Sequence, residues 1–239
     1  MSTRSRHIQS VERAMALLEQ LNARPHGTAL VDLCKSTGLS KSTAHGLLNT
    51  LVDLGYAVNA GSEYRPGARV RTLSPAEVDS AEVIRHLFAP ALQAFNEICR
   101  RDSYLAIPSG TRSYLTLDGL DSRGMPVTAG TDPRRDAIRT SAIGKIFLAN
   151  DQTFIRRVRR NAPLDQSLET ELQHVNHSGF ALDQGASRQG LYCLAIPLRH
   201  KGRLVGALGA SGFAIDMDCA WMQMHAKRAL REIGALVSL

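Results

Sequence analysis

The chain has 239 residues, 44% hydrophobic and 21% charged, with 29 Lys and Arg against 22 Asp and Glu for a net charge of +7. A chain of this size makes one large domain or two small ones and buries most of its apolar surface without staples. That excludes a disordered regulator, a collagen-like fibre and a disulfide miniprotein.

The longest stretch free of formal charge, Leu204 to Ile215, falls short of the roughly 20 apolar residues that span a bilayer. MSTRSRHIQSVERAM lacks an apolar core of signal-peptide length, so the expectation is a soluble, cytoplasmic protein with no membrane partner. The basic excess suits a polyanion such as nucleic acid, or an anionic ligand. Cys34, Cys99, Cys193 and Cys219 lie far apart with no C-x-x-C pair, which fits a reducing compartment and offers neither a zinc knuckle nor a redox motif.

Ile8, Val11, Met15, Leu18 and Leu21 recur at three- and four-residue steps, predicting a helix from about Ser10 to Ala23 that Pro25 and Gly27 end. A short second helix is predicted from about Ala29, with Leu30, Leu33 and Cys34 on one side and Gly38 as its left-handed terminus. Ser40 is a good N-cap for a third, running through Leu47, Leu48, Leu51 and Leu54 to Gly55. Two helices joined by a short turn with Gly form a helix-turn-helix. The segment from Tyr56 to Arg65 reads as two short strands around an Asn-Ala-Gly-Ser turn. A hairpin in that place is a wing, whose tip can lie along a phosphate backbone or in a minor groove. Residues 1–75 hold nine basic and five acidic residues, +4 of the +7 in under a third of the length.

Ser74-Pro75 breaks the chain. Helical spacing resumes from Ala76 to Arg101 through Val83, Leu87, Leu92, Phe95 and Ile98, and Pro90 is expected to kink or interrupt it. That would divide a linker helix from the first helix of a second domain. Strands are then expected at 104–107, 113–117, 125–129, 180–182, 191–198 and 203–211. Helices are expected at 142–149, 153–160, 168–178 and from about Ala220. Helices on a largely antiparallel sheet make the second domain, and the chain as a whole, α+β. The expected division is 1–70 for DNA binding, 71–85 for the linker helix region and 86–239 for the second domain.

The stretches SVERAMALLEQL, LVDLCKSTGLSKSTAHGLLNTLVDLGY and YRPG resemble the N-terminal winged domain of the IclR family of bacterial transcriptional regulators. TSAIGKIFLA, GFALDQGASRQGLYCLAIPL and GRLVGALGASG are similar to that family's effector domain, in the same order. The resemblance implies a winged helix-turn-helix that binds a palindromic double-stranded operator as a homodimer or dimer of dimers. It also implies a GAF-like domain that binds a small metabolite. No cofactor or metal is expected.

In the recognition helix, Lys41, Ser42 and Thr43 are short or basic donors suited to phosphates and base edges. His45 and Asn49 lie one turn apart, and Asn can pair with adenine in a bidentate way. These two residues either read bases or fill a polar face. Arg65 lies on the wing, and Gly46 stands where relatives often have Arg. Arg4 and Arg6 are either a minor-groove arm or a solvated tail.

The family's pocket positions carry over to Ala142, Ile143, Asp183, Leu191, Cys193, Gly209 and Ser211, with Met125 and Thr128 expected on another wall. The turn before the helix at 142 offers backbone N–H groups to an anion, and Asp183 is expected to accept a ligand hydroxyl or to bind through water. Gly209, where relatives commonly have Ser, is expected to make room for a bulkier ligand. Arg139 either holds a ligand carboxylate or serves as a surface or internally paired residue. Arg156, Arg157, Arg159 and Arg160 form a solvated face or a second nucleic-acid patch. His174 and His177 lack further metal ligands at suitable spacing.

Together these point to a ligand-responsive transcriptional regulator, a repressor of a catabolic operon that senses a small anionic organic acid or aromatic metabolite. A ligand-independent architectural DNA binder leaves the second domain without a task. An enzyme using Cys193 conflicts with that residue's place inside an apolar strand, and no catalytic motif accompanies it.

Overall fold

Leu17 and Leu21, one helical turn apart, are the fully buried residues of α1 (Gln9–Ala23). They close on Leu33 of α2 (Leu30–Thr37) and on Ala44, Leu48 and Leu51 of α3 (Lys41–Asp53). This computed structural model describes residues 8–71, 73, 80–127 and 137–238, and the chain divides into two units, Met1–Glu77 and Val78–Leu239. In the first unit Gly38 ends α2 at φ 68°, the left-handed conformation expected of it. Ser40 caps α3 by accepting the Thr43 N–H at 3.3 Å.

Strand β1 (Thr28–Ala29) was too short to be read from sequence. It pairs with β3 (Glu63–Pro66), which also pairs with β2 (Ala57–Ala60), giving a three-stranded sheet ordered β1-β3-β2. Helix α4 (Ala68–Arg71) follows. The YRPG turn closes on the end of α3: a Cβ at Gly67 would collide with the Gly55 carbonyl. Arg69 lies over the Tyr56 ring at 5.0 Å and donates to the Leu54 carbonyl at 2.9 Å.

The second unit opens with α5 (Ser80–Cys99), a single helix that runs through Pro90. The expected interruption is absent, and the expected 85/86 boundary falls inside this helix. Phe88, Ala91, Leu92 and Phe95 bury one face of it.

The sheet comprises β4 (Asp102–Ser109), β5 (Ser113–Leu120), β6 (Ala181–Gln184), β7 (Leu191–His200) and β8 (Arg203–Phe213), ordered β5-β4-β8-β7-β6 and antiparallel throughout. The strand expected at 125–129 appears among the described residues only as a bridge between Pro126 and Leu120. Helices α6 (Ala137–Thr140), α7 (Ala142–Asn150), α8 (Gln152–Asn161) and α9 (Gln166–Ser178) come between β5 and β6. Helices α10 (Cys219–Glu232) and α11 (Gly234–Val237) close the chain.

Alternation along the strands builds two unlike cores. Leu105, Leu194, Ile196, Leu198, Leu208 and Ala210 pack with α5, α10 and α11. The opposite face presents Ala106, Ala181, Ala195 and Ala207, and these small residues admit α7 closely. Every residue of α7 from Ala142 to Ala149 is buried, as expected of a helix that is apolar all round. Its one charge, Lys145, donates to the Leu182 carbonyl at 3.0 Å and pairs with Glu171 at 2.6 Å.

Candidate functional site

Burying Ala44, Leu48 and Leu51 leaves Ser42, His45, Gly46, Asn49 and Thr50 exposed on the other side of α3, with Lys41 at its start. The expected base-reading residues therefore share one face. Asn49 Nδ2 lies 3.4 Å from His45 Nδ1, so the two side chains orient each other. Thr43 is half-buried and turned into the cap, its Oγ1 accepting from Ser40 Oγ at 2.9 Å. Arg65 is exposed on β3, where Glu63 lies 3.8 Å away and offsets part of its charge. Arg4 and Arg6 lie outside the described residues.

In the second unit, strand register assembles a site on the face that carries α7. One row across the sheet reads Gly119, Tyr104, Gly209, Ala195, Ala181, and the next reads Asp102, Ser211, Cys193, Asp183. The Tyr104 phenol hydrogen-bonds the Ser211 side chain. Burial pushes that phenol's pKa up, Asp102 adds to the rise, and the Ser211 bond opposes it. Tyr104 is therefore a neutral hydroxyl throughout the physiological range. Above this floor stands the start of α7. Ser141 Oγ takes the Gly144 N–H at 3.1 Å and the Ser141 carbonyl takes the Lys145 N–H, which leaves the N–H groups of Ala142 and Ile143 as the helix's outward donors.

A family model for the IclR helix-turn-helix domain matches residues 10–61. The HTH-type transcriptional regulator XynR of Escherichia coli (strain K12) is 27% identical over 249 residues, covering 97% of this chain and 96% of its own. The DNA-binding transcriptional repressor YiaJ of the same strain is 28% identical over 205 residues, 80% of this chain and 72% of its own. Residues 10–61 thus match an IclR helix-turn-helix domain, and the chain is similar over nearly its whole length to a transcriptional regulator of that type. An IclR homologue from Microbacterium hydrocarbonoxydans, solved in complex with 4-hydroxybenzoate, shares the fold at 19% identity and a TM-score of 0.61, covering 96% of this chain and 99% of that one.

Of the effector positions carried over from the IclR family, Ala142, Ile143, Cys193 and Ser211 meet at this site, and Leu191 lies at its edge opposite Phe213. Four expectations change. Asp183 is fully buried and its carboxylate accepts from the Ala186 N–H at 2.8 Å and from the Ser187 N–H and hydroxyl, so it anchors its own loop rather than a ligand. Gly209 makes no room for ligand, because a Cβ there would lie 2.6 Å from Ile143 Cδ1; the glycine accommodates that side chain.

Arg139 turns its two terminal nitrogens to the carbonyls of Pro163 at 2.9 Å and Ala162 at 2.7 Å, tying α6 to the end of α8. Met125 is 61% exposed in the turn that Asp121 organises, and Val127 is the residue that reaches Gly119 beside Tyr104. Thr128 lies outside the described residues. Tyr104 was the residue missed; its signal was its alternation with Leu105 and Ala106 on β4, legible only once the partner strands are known.

In α8, Arg159 forks onto Glu169 and Arg157 lies over the Phe154 ring, so two of the four arginines serve local packing. His174 and His177 are exposed on α9.

Proposed function

We propose that this IclR-family chain is a ligand-responsive, DNA-binding transcriptional repressor of a catabolic operon, acting in the cytoplasm as a homodimer or dimer of dimers. Its effector is a small anionic organic acid or aromatic carboxylate. The observation that carries the reading is the junction of the α7 N-terminus with Tyr104, Ser211 and Cys193. Two backbone N–H groups and a weak positive dipole meet a carboxylate there, while neutral hydroxyls meet the ligand body. The bound 4-hydroxybenzoate of the Microbacterium homologue and the repressor activity of YiaJ support the ligand class and the sign. On α3, Lys41 and Ser42 reach phosphates, Asn49 and His45 read base edges, and Arg65 anchors the wing.

Regulation requires the acid to bind the DNA-free and DNA-bound states with different affinity. The test is fluorescence-polarisation binding of the full chain to DNA from upstream of its own gene, with and without a panel of carboxylic acids, at two salt concentrations. Tight, salt-sensitive binding that one acid releases is the expected result. Specific binding that no acid shifts would favour the architectural reading.

A further inference from the structure

On the sheet face opposite the effector site, α5, the end of β5 and the turn after it line an open cavity of about 510 Å³. Leu92 and Leu120 supply apolar lining, and Asn96, only 4% exposed, sits in its wall. The Asn96 amide nitrogen donates to the carbonyls of Arg101 and Asp121, both at 2.9 Å, with Ser103 Oγ at 3.3 Å. Two carbonyl partners use both amide hydrogens and fix the orientation of the group. Its Oδ1 therefore points the other way, beside Gly124, and accepts from no donor among the described residues. The side chain is held rigidly in the wall while this oxygen stays open to the cavity, a fixed acceptor for a donor that enters it.

Charged side chains of both signs line the same cavity: Glu97 and Asp118, Arg100 and Arg123. Among the described residues no ion pair joins any two of them, although Glu97 and Arg100 are one turn apart. Asp118 also accepts the Gly119 N–H at 2.9 Å and Arg123 lies near Asp121, yet the opposite charges within the cavity do not neutralise each other, which leaves a place for a molecule bearing both.

We infer that this cavity is a second ligand site, for a small zwitterion of the α-amino-acid class. The ammonium lies against Asn96 Oδ1 and the carboxylates of Glu97 and Asp118, the carboxylate against Arg100 and Arg123, and the side chain on Leu92 and Leu120. An ammonium supplies the N–H donors that Oδ1 lacks, and guanidinium groups match a carboxylate. A neutral polyol would satisfy Oδ1 but leave both sets of charges uncompensated.

Isothermal titration calorimetry of the full chain through the millimolar range tests this, with L-norvaline as the probe. Butylamine and pentanoate serve as one-charge controls of the same chain. Norvaline is expected to bind at least about tenfold more tightly than either control, a difference set by the second charged contact. Arg123→Ala and, separately, Glu97→Gln are each expected to reduce norvaline affinity about tenfold, because each removes a charged contact on one side of the zwitterion. Both residues are exposed, and melting curves check that the variants fold. Tyr104→Phe, in the effector site, is expected to leave norvaline binding unchanged. Absence of norvaline binding, equal binding of pentanoate, or binding that survives Arg123→Ala but not Tyr104→Phe overturns the second site. None of these results bears on whether a carboxylic acid releases DNA.

Discussion

Gly209→Ala separates two explanations of that glycine, room for a ligand and room for Ile143. The new Cβ would lie 2.6 Å from Ile143 Cδ1 and 2.7 Å from Cγ1, against an optimum of about 3.5–4.0 Å between carbons. Roughly an ångström has to be recovered. Ile143 is 7% exposed at the start of a helix that is buried all round, so its side chain has little space to retreat into. Overpacking of this kind costs about 1–3 kcal/mol. Ile143→Ala alone is expected to cost about 2–5 kcal/mol through lost burial and a cavity. In the double variant the clash is gone and the added methyl refills part of the cavity. The pair should therefore cost less than the sum of the singles, by about 1–2 kcal/mol. The backbone-entropy gain of replacing glycine, about 0.5–1 kcal/mol, appears in both arms of the cycle and cancels. Urea midpoints at unchanged m-value supply the four stabilities. Additivity within about 0.5 kcal/mol would refute the packing account and return Gly209 to the ligand.

Arg139→Ala is expected to lower stability by about 1–2 kcal/mol, since two charge-assisted hydrogen bonds at a partly exposed site are lost, with effector affinity unchanged. A tenfold weaker effector at an unchanged melting temperature would reassign the residue to ligand binding. Asn49→Ala should relax operator preference by about 1–3 kcal/mol at one base pair, whereas Lys41→Ala should weaken all sequences alike and reduce the salt slope by about one. Polarisation titrations over a salt series distinguish them, and uniform weakening by Asn49→Ala would exclude base reading. Burial pushes the Cys99 thiol up to about 12 from its ordinary value near 9, with Arg101 and Arg228 opposing. Because the unfolded chain loses this proton first, stability falls as pH rises between those values, by about 4 kcal/mol in total. In Cys99→Ala that component should vanish, and alkaline melts with unchanged slope would contradict the assignment.

Local signals carried most of the fold. The 3.6-residue spacing in α1, Gly38 after α2 and the Ser40 cap on α3 act over a single turn, and they predict elements within a residue or two of those found. Pro90 misled because the packing of Phe88, Leu92 and Phe95 against the sheet outweighs one lost backbone hydrogen bond in a 20-residue helix. Strand β1 is two residues long and exists only because β3 lies beside it. The site was less legible for the same reason. That Tyr104 stands between Gly119 and Gly209, or that Asp183 closes on Ser187, depends on register and loop path, and neither is written in the spacing of one strand. Position alone placed Asp183 and Gly209 at the site without saying what each one touches.

Those contacts constrain how the proposed effector carboxylate would be held. With Arg139 on backbone carbonyls and Asp183 on its own loop, the positive element left facing the ligand among the described residues is the α7 N-terminus, assisted by neutral Tyr104 and Ser211. A helix terminus stabilises an anion by about 0.3–1 kcal/mol, and up to about 2 kcal/mol when partly buried. An aromatic acid should therefore be preferred over its uncharged amide by only roughly two- to thirtyfold. A bidentate guanidinium in a desolvated site would discriminate far more strongly. Competition of benzoate and benzamide for the same site in the full chain measures that ratio. A preference of about a thousandfold or more would mean that a guanidinium faces the ligand, and the helix-terminus account would then fail.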